Sequence, residues 1–192
     1  MERNSVTNKK IIRKEVLAKR NSFNEESIEA YSKVISDTVL SMDEFKKAKT
    51  VLLYSSFASE VKTDSLIDAS LKDGKEVYLP RVEGEDMNFY HILSKEELVK
   101  GAWGILEPKK DKDKIFKDNK DALIILPLVG YDRSGNRIGY GKGYYDRFLA
   151  AHETGIKIGI AFSLQECEII PEDTDIRLNM LVNENEIIVT RR

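Results

Sequence analysis

The chain is poor in the residues that build several common kinds of site. It holds one cysteine, Cys167, so no disulfide can form within it. Its two histidines, His91 and His152, stand far apart and outside any motif. A zinc centre of histidine and cysteine is therefore not expected, nor is a Ser-His-Asp triad. No apolar run approaches the roughly 20 residues of a membrane-spanning helix. The opening Met-Glu-Arg-Asn-Ser-Val-Thr-Asn-Lys-Lys lacks the apolar centre of a signal peptide. A reducing, cytoplasmic setting without a membrane partner is the expectation. The formal net charge of −2 lacks the basic excess of a general nucleic-acid binder, yet leaves room for a local basic pocket. No repeat, low-complexity tract or linker divides the 192 residues, so one domain over 1–192 is expected. A monomer is the expectation, although the sequence does not give oligomeric state.

What is present is concentrated in residues 135–148, Gly-Asn-Arg-Ile-Gly-Tyr-Gly-Lys-Gly-Tyr-Tyr-Asp-Arg-Phe. Gly139, Gly141 and Gly143 alternate with larger residues. Backbone that must approach an anion closely favours glycine, because no Cβ intervenes and φ > 0 is open. A helix starting after these glycines would aim free N–H groups and its positive dipole end at that anion. Lys142 and Arg137 would add full charge, which makes the stretch a phosphate cradle and points to a nucleotide. The Walker pattern does not fit, because Gly143 follows Gly141-Lys142 and Asn136 holds the first glycine position. The dinucleotide fingerprint fails too, since the spacing is Gly-x-Gly-x-Gly.

Apolar periodicity predicts helices over residues 8–20, 24–41 (with Asn24 as cap), 64–72, 95–99 and 142–151. Strands are predicted over residues 50–54, 76–79 (ended by Pro80), 87–92 at an edge, 122–126 (stopped by Pro127), 157–162 and 186–189. Residues 103–108 read as an extended or turning segment, and 109–120, dense in Lys and Asp, as a solvated excursion. Strands separated by helices imply an α/β domain with a largely parallel sheet. In such sheets ligands bind beyond the carboxyl ends of strands. Residues 55–60 and 128–143 both begin just past a predicted strand.

Residues 136–146, Asn-Arg-Ile-Gly-Tyr-Gly-Lys-Gly-Tyr-Tyr-Asp, resemble the signature of the 5-formyltetrahydrofolate cyclo-ligase family. The resemblance runs over nearly the whole chain. Lys9-Lys10-Ile11-Ile12-Arg13 looks like that family's basic N-terminal helix, and Ser59-Glu60-Val61-Lys62-Thr63 like its acidic substrate loop. Tyr78-Leu79-Pro80-Arg81, Trp103-Gly104-Ile105-Leu106-Glu107-Pro108 and Ile160-Ala161-Phe162 follow in family order. The resemblance implies a three-layer, Rossmann-like α/β fold, a mainly parallel sheet with helices on both faces. It implies Mg2+- and ATP-dependent closure of 5-formyltetrahydrofolate, with or without a polyglutamate tail, to 5,10-methenyltetrahydrofolate, with release of ADP and phosphate.

Roles follow from the same resemblance. Lys9, Lys10 and Arg13 would contact ATP phosphates; Lys9 and Arg13, four apart, share a helix face. Arg137, Gly139, Gly141, Lys142, Gly143, Tyr144 and Tyr145 would form the nucleotide loop, with Lys142 and Arg137 as the catalytic cations stabilising the transferred phosphate. Ser55, Phe57, Glu60, Tyr140 and Tyr144 would bind the folate, Glu60 accepting hydrogen bonds from the pterin. Asp146 and Asp175 would be the metal-associated acids. Solvated basic residues, a loop acid, a helix-dipole acid at Asp146, and core packing for Tyr145, Phe57 and Trp103 are the plainer readings; Cys167 reads as structural. The chain departs from the family pattern at Thr174, Asn179 and Tyr140, where a histidine, an acid and an arginine are common. Two other functions stay open: a folate-binding or regulatory protein that has lost catalysis, and an α/β enzyme acting on a sugar phosphate.

Overall fold

The computed structural model describes residues 2–190, with side chains from Asn8 onward. The chain opens with helix α1 (Glu2–Asn21) and turns at once into α2 (Glu25–Ser41). Asn24 caps α2, its side chain accepting from the Ser27 N–H at 2.8 Å. A short α3 (Asp43–Lys47) then buries Phe45 and leads into strand β1 (Thr50–Leu52). After a loop come α4 (Asp64–Lys72) and the hairpin of β2 (Glu76–Glu83) and β3 (Asp86–Ile92). A two-stranded excursion, β4 (Val99–Lys100) and β5 (Leu106–Glu107), precedes β6 (Leu123–Pro127). A small hairpin, β7 (Gly130–Tyr131) and β8 (Arg137–Ile138), carries the chain to α5 (Tyr144–Ala151). Strands β9 (Lys157–Ile160), β10 (Met180–Val182) and β11 (Ile187–Val189) complete it.

The main sheet has seven strands in the order β11-β10-β9-β6-β1-β2-β3. Its five inner strands are parallel, and the edge strands β3 and β11 run antiparallel to their neighbours. Alternation along the strands splits the core between the two faces. Val51 and Leu53, Val77 and Leu79, Leu123 and Ile125 pack under α2, α3 and α4. Leu52, Ile124 and Leu126 point the other way, toward Phe148 and Leu149 of α5 and Phe116. That is the three-layer arrangement expected. Helix α1 belongs to neither layer: its Val16 packs with Val129, Ile138 of β8 and Ile169, all outside the seven-stranded sheet.

Pro80, expected to end its strand, lies inside β2, whereas Pro127 is the last residue of β6, as expected. Pro80 is paired with Phe89 and Pro127 with Ile160. The sheet admits both because of where their missing N–H would have pointed. Tyr78 faces β1, because its carbonyl accepts from Leu53 N–H, and Pro80, two residues on, faces the same side. Ile124 faces β9 through its bond to the Ile156 carbonyl, so Pro127, an odd step away, faces β1. Strand β1 pairs no further than Leu52, opposite Tyr78 and Ile124. Both prolines therefore turn a donor-free edge to the gap that β1 leaves, where no ladder bond is lost.

Residues 109–120 differ from a wholly solvated excursion. Phe116 is buried, its N–H donates to the Phe89 carbonyl at 2.8 Å, and Ile115 bridges to Tyr90. The segment covers the outer edge of β3, which would otherwise offer unpaired backbone groups. Expected helices at 95–99 and 142–151 are shorter: a single 3-10 turn over Lys95–Glu97, and α5 from Tyr144.

Candidate active site

The gap past β1 is also the point where chain direction reverses. β1 is followed by its neighbour on one side, β2, and β6 by its neighbour on the other, β9. In open α/β sheets such a reversal, where loops leave the carboxyl ends of adjacent strands, is where the ligand crevice is expected. The loops after β1 and β6 hold residues 55–60 and 128–143, the two segments singled out in the sequence.

The glycine loop has the conformations that its composition suggests. Gly141 has φ +91° and Gly143 φ +68°, both in the region open chiefly to glycine. A Cβ on Gly141 would stand 3.1 Å from the Arg13 guanidinium carbon, so the glycine also admits that cation against the backbone. Arg13 Nε donates to the Gly139 carbonyl at 2.7 Å. Gly143 is the N-cap of α5 and no side chain caps it, which leaves first-turn N–H groups facing outward. Lys142 is exposed at the rim and Lys10 is exposed on α1.

Arg137 is buried, and its guanidinium reaches Asp146 at 2.5 Å. Its Nε, however, has no hydrogen-bond partner. Ser55 Oγ, at the exit of β1, is likewise buried and unpartnered. An orphaned buried polar atom costs about 1–3 kcal/mol. Two of the three such atoms among the described residues thus lie on the segments that flank this crevice, which is what a site built for a polar ligand leaves behind.

Glu60 is buried, with Oε2 accepting the Phe57 N–H at 2.8 Å. Burial raises its pKa, against the lowering effects of that bond and of Arg20. Above it lies Tyr140, whose hydroxyl bonds to Glu60 and accepts from Arg20 at 2.6 Å. Burial of that hydroxyl and the nearby Glu60 charge push the Tyr140 phenol up to about 12, so it stays a neutral donor. The residue as a whole is 47% exposed: the oxygen is anchored and the ring is offered to solvent. Burial pushes the Tyr145 phenol well above its ordinary value, with the Glu60 charge adding to it. Its ring meets Phe89 edge-on, in keeping with the core reading. Tyr144 hydrogen-bonds the Gly84 carbonyl at 3.2 Å and packs beneath the Arg147 guanidinium. Phe57 and Trp103 are 42% and 61% exposed, so core packing fails for both.

Helix α1 laces the loops together. Lys9 pairs with Asp175 at 2.6 Å and Glu172 at 3.3 Å in the loop after β9. Arg13 holds the glycine loop, and Arg20 donates to Ser59 Oγ and the Leu128 carbonyl at the ends of β1 and β6. Sequence reasoning passed over Arg20. The signal was available: positions 9, 13, 16 and 20 fall on one helical face.

The two expected metal acids lie apart in their contacts, Asp146 on Arg137 and Asp175 on Lys9. No group of three or more acid, histidine or cysteine side chains among the described residues could cage an ion. Thr174 is exposed, and Asn179 accepts from the Lys157 N–H at 2.8 Å at the amino end of β9. The missing acid at 179 therefore falls at the opposite end of the sheet from the crevice. Cys167 is partly buried, and burial pushes its thiol up to about 11, in keeping with a structural role.

A mainly parallel sheet with a glycine loop and a buried arginine beyond its reversal point is the arrangement of an α/β enzyme. The model of the 5-formyltetrahydrofolate cyclo-ligase family matches residues 5–184, and the chain belongs to that family. It is 34% identical over 146 residues to the 5-formyltetrahydrofolate cyclo-ligase of Escherichia coli strain K12, covering 73% of this chain and 80% of that one. The mouse protein of the same name is 29% identical over 167 residues, covering 80% and 82%. The solved 5,10-methenyltetrahydrofolate synthetase of Aquifex aeolicus superposes with a TM-score of 0.83 at 38% identity, over 96% of this chain and 93% of that one.

Proposed function

We propose that this chain, as one domain over 1–192, closes 5-formyltetrahydrofolate to 5,10-methenyltetrahydrofolate at the expense of ATP. The observation that carries the reading is the join between the two lobes of the crevice. The uncapped glycine loop runs directly into Tyr140, which sits on the buried Glu60. One loop thus offers an anion cradle and an aromatic wall for a flat polar ring.

In this reading the backbone N–H groups at Gly141 and Gly143, with Arg13, Arg137 and Lys142, hold the triphosphate. Arg137 would satisfy its free Nε on a phosphate oxygen. Glu60 accepts N–H donors of the pterin, and Tyr140 bears on its face. The formyl oxygen attacks the γ-phosphorus as the bond to ADP breaks. N10 then attacks the activated carbon, the C–O bond to phosphate breaks, and N10 loses its proton. The protein's part is positioning and charge stabilisation. Bound Mg2+ would spread charge over the phosphates, with Asp146 and Asp175 as its candidate carboxylates. No helix among the described residues is long and apolar enough to cross a membrane, and we read the setting as cytoplasmic.

Mixing protein, 5-formyltetrahydrofolate, ATP and Mg2+ should produce methenyltetrahydrofolate absorbance that vanishes when ATP is omitted. Folded protein giving no product would sink the reading. Tight folate binding without turnover would select a non-catalytic folate protein instead.

A further inference from the structure

Arg20 is an arginine 2% exposed, at the far end of α1 from the phosphate-facing cations. A buried guanidinium costs several kcal/mol unless its donors are used. Here they are spread over three loops: Nε to Ser59 Oγ at 3.0 Å, one terminal nitrogen to the Leu128 carbonyl at 3.2 Å, the other to Tyr140 hydroxyl at 2.6 Å. Ser59 Oγ in turn donates to Asn21 at 2.5 Å. No carboxylate forms a salt bridge with Arg20 among the described residues; its charge acts on Glu60, and Tyr140 interacts with both. The guanidinium also lies 5.6 Å from the Tyr140 ring centroid. This arrangement fixes an otherwise exposed tyrosine by its oxygen and sets the height of the ring over Glu60.

We propose that Arg20 is a positioning residue for the folate, acting through the Tyr140 hydroxyl and Ser59 and touching neither substrate. The inference rests on the reading that Glu60 and Tyr140 form the folate lobe. It separates Arg20 from Lys9 and Arg13 on the same helix face, whose contacts lie on the glycine loop and the loop after β9. Loss of the guanidinium frees Tyr140 to leave Glu60 and loosens the residue 55–60 loop, while the phosphate lobe keeps Arg13, Arg137 and Lys142.

The test is steady-state kinetics of R20K, R20L, Y140F and R20L/Y140F with 5-formyltetrahydrofolate and Mg-ATP, alongside thermal melts. R20L and Y140F should each raise KM for the folate about tenfold, with kcat and KM for ATP within about twofold. R20K, which keeps one charged donor, should recover part of the loss. The double variant should be no worse than R20L, because the two side chains act as one unit. A merely structural Arg20 would lower the melting temperature and leave both KM values alone. Y140F keeps the buried arginine, so it answers the question even where R20L does not fold. Unchanged folate KM in Y140F, or additive effects in the double variant, would overturn the inference while wild-type turnover keeps the functional reading. Wild-type protein that neither binds nor turns over 5-formyltetrahydrofolate would overturn both.

Discussion

Glu60 shows how much a single buried group can decide. Its carboxylate already accepts the Phe57 N–H and the Tyr140 O–H, so lone pairs remain for a ligand's donors. In Glu60→Gln the amide oxygen can serve Phe57, but the NH2 cannot accept from Tyr140. Losing a charge-assisted bond of this kind costs roughly 1.5–3 kcal/mol, about ten- to a hundredfold in folate affinity. The same variant reads out the pKa shift. Because burial raises the folded pKa of Glu60, the folded state holds its proton more tightly than the unfolded chain. Glu60 therefore favours folding most below its unfolded pKa, and that contribution is lost as pH rises through the folded value. The stability difference between Glu60→Gln and wild type should shift toward the variant as pH is raised from about 4 to 7, followed by melts in matched buffers. A difference that stays flat, or shifts toward wild type, would contradict a raised pKa.

Elements differ in how plainly the sequence announces them. Helices α2 and α4 were legible to the residue, because Asn24 caps one and both bury a regular apolar stripe. The five-residue α3 and three-residue β10 are too short for any period to register, and their place comes from what they pack on. Pro127 ends its strand as read but Pro80 does not, because a proline's cost depends on which neighbour it faces, and that is a property of the sheet. Each should tolerate alanine with a change in unfolding free energy within about 1 kcal/mol, since the new N–H meets the crevice and no ladder bond forms. A loss of several kcal/mol on chemical denaturation would place a backbone partner there. The glycine loop, by contrast, was readable because its glycines carry the conformation themselves. Gly141→Ala would place a Cβ at φ +91° and 3.1 Å from Arg13. Left-handed strain of about 1–2 kcal/mol and a displaced Arg13 should raise KM for ATP roughly tenfold, with folate KM changed much less. Equal effects on both substrates would mean the loop does not divide as described.

At the scale of the whole molecule, α1 converts separate loops into one device. From Lys9 to Arg20 it spans about 16 Å, and at successive turns it grips the loop after β9, the glycine loop, and the ends of β1 and β6. The shared face of Lys9, Arg13, Val16 and Arg20 can be read from the sequence, but the loops it grips are set by the fold. A ligand that seats Arg13 and the glycine loop also seats Tyr140, one residue from Gly141. Each ligand should then bind a molecule that the other has already ordered, and linkage requires the effect to be mutual. Saturating one site at about 100 times its Kd stabilises the fold by about 2.7 kcal/mol. For a chain of this size that is a rise of roughly 5–10 °C in Tm. Independent sites would give contributions to stability that simply add. With a non-hydrolysable ATP analogue and 5-formyltetrahydrofolate together, the stabilisation should exceed the sum of the two measured separately. Arg20→Leu should bring it back to the sum by cutting the tie between α1 and Tyr140. Strict additivity in the wild-type protein would show that α1 holds the loops without linking them.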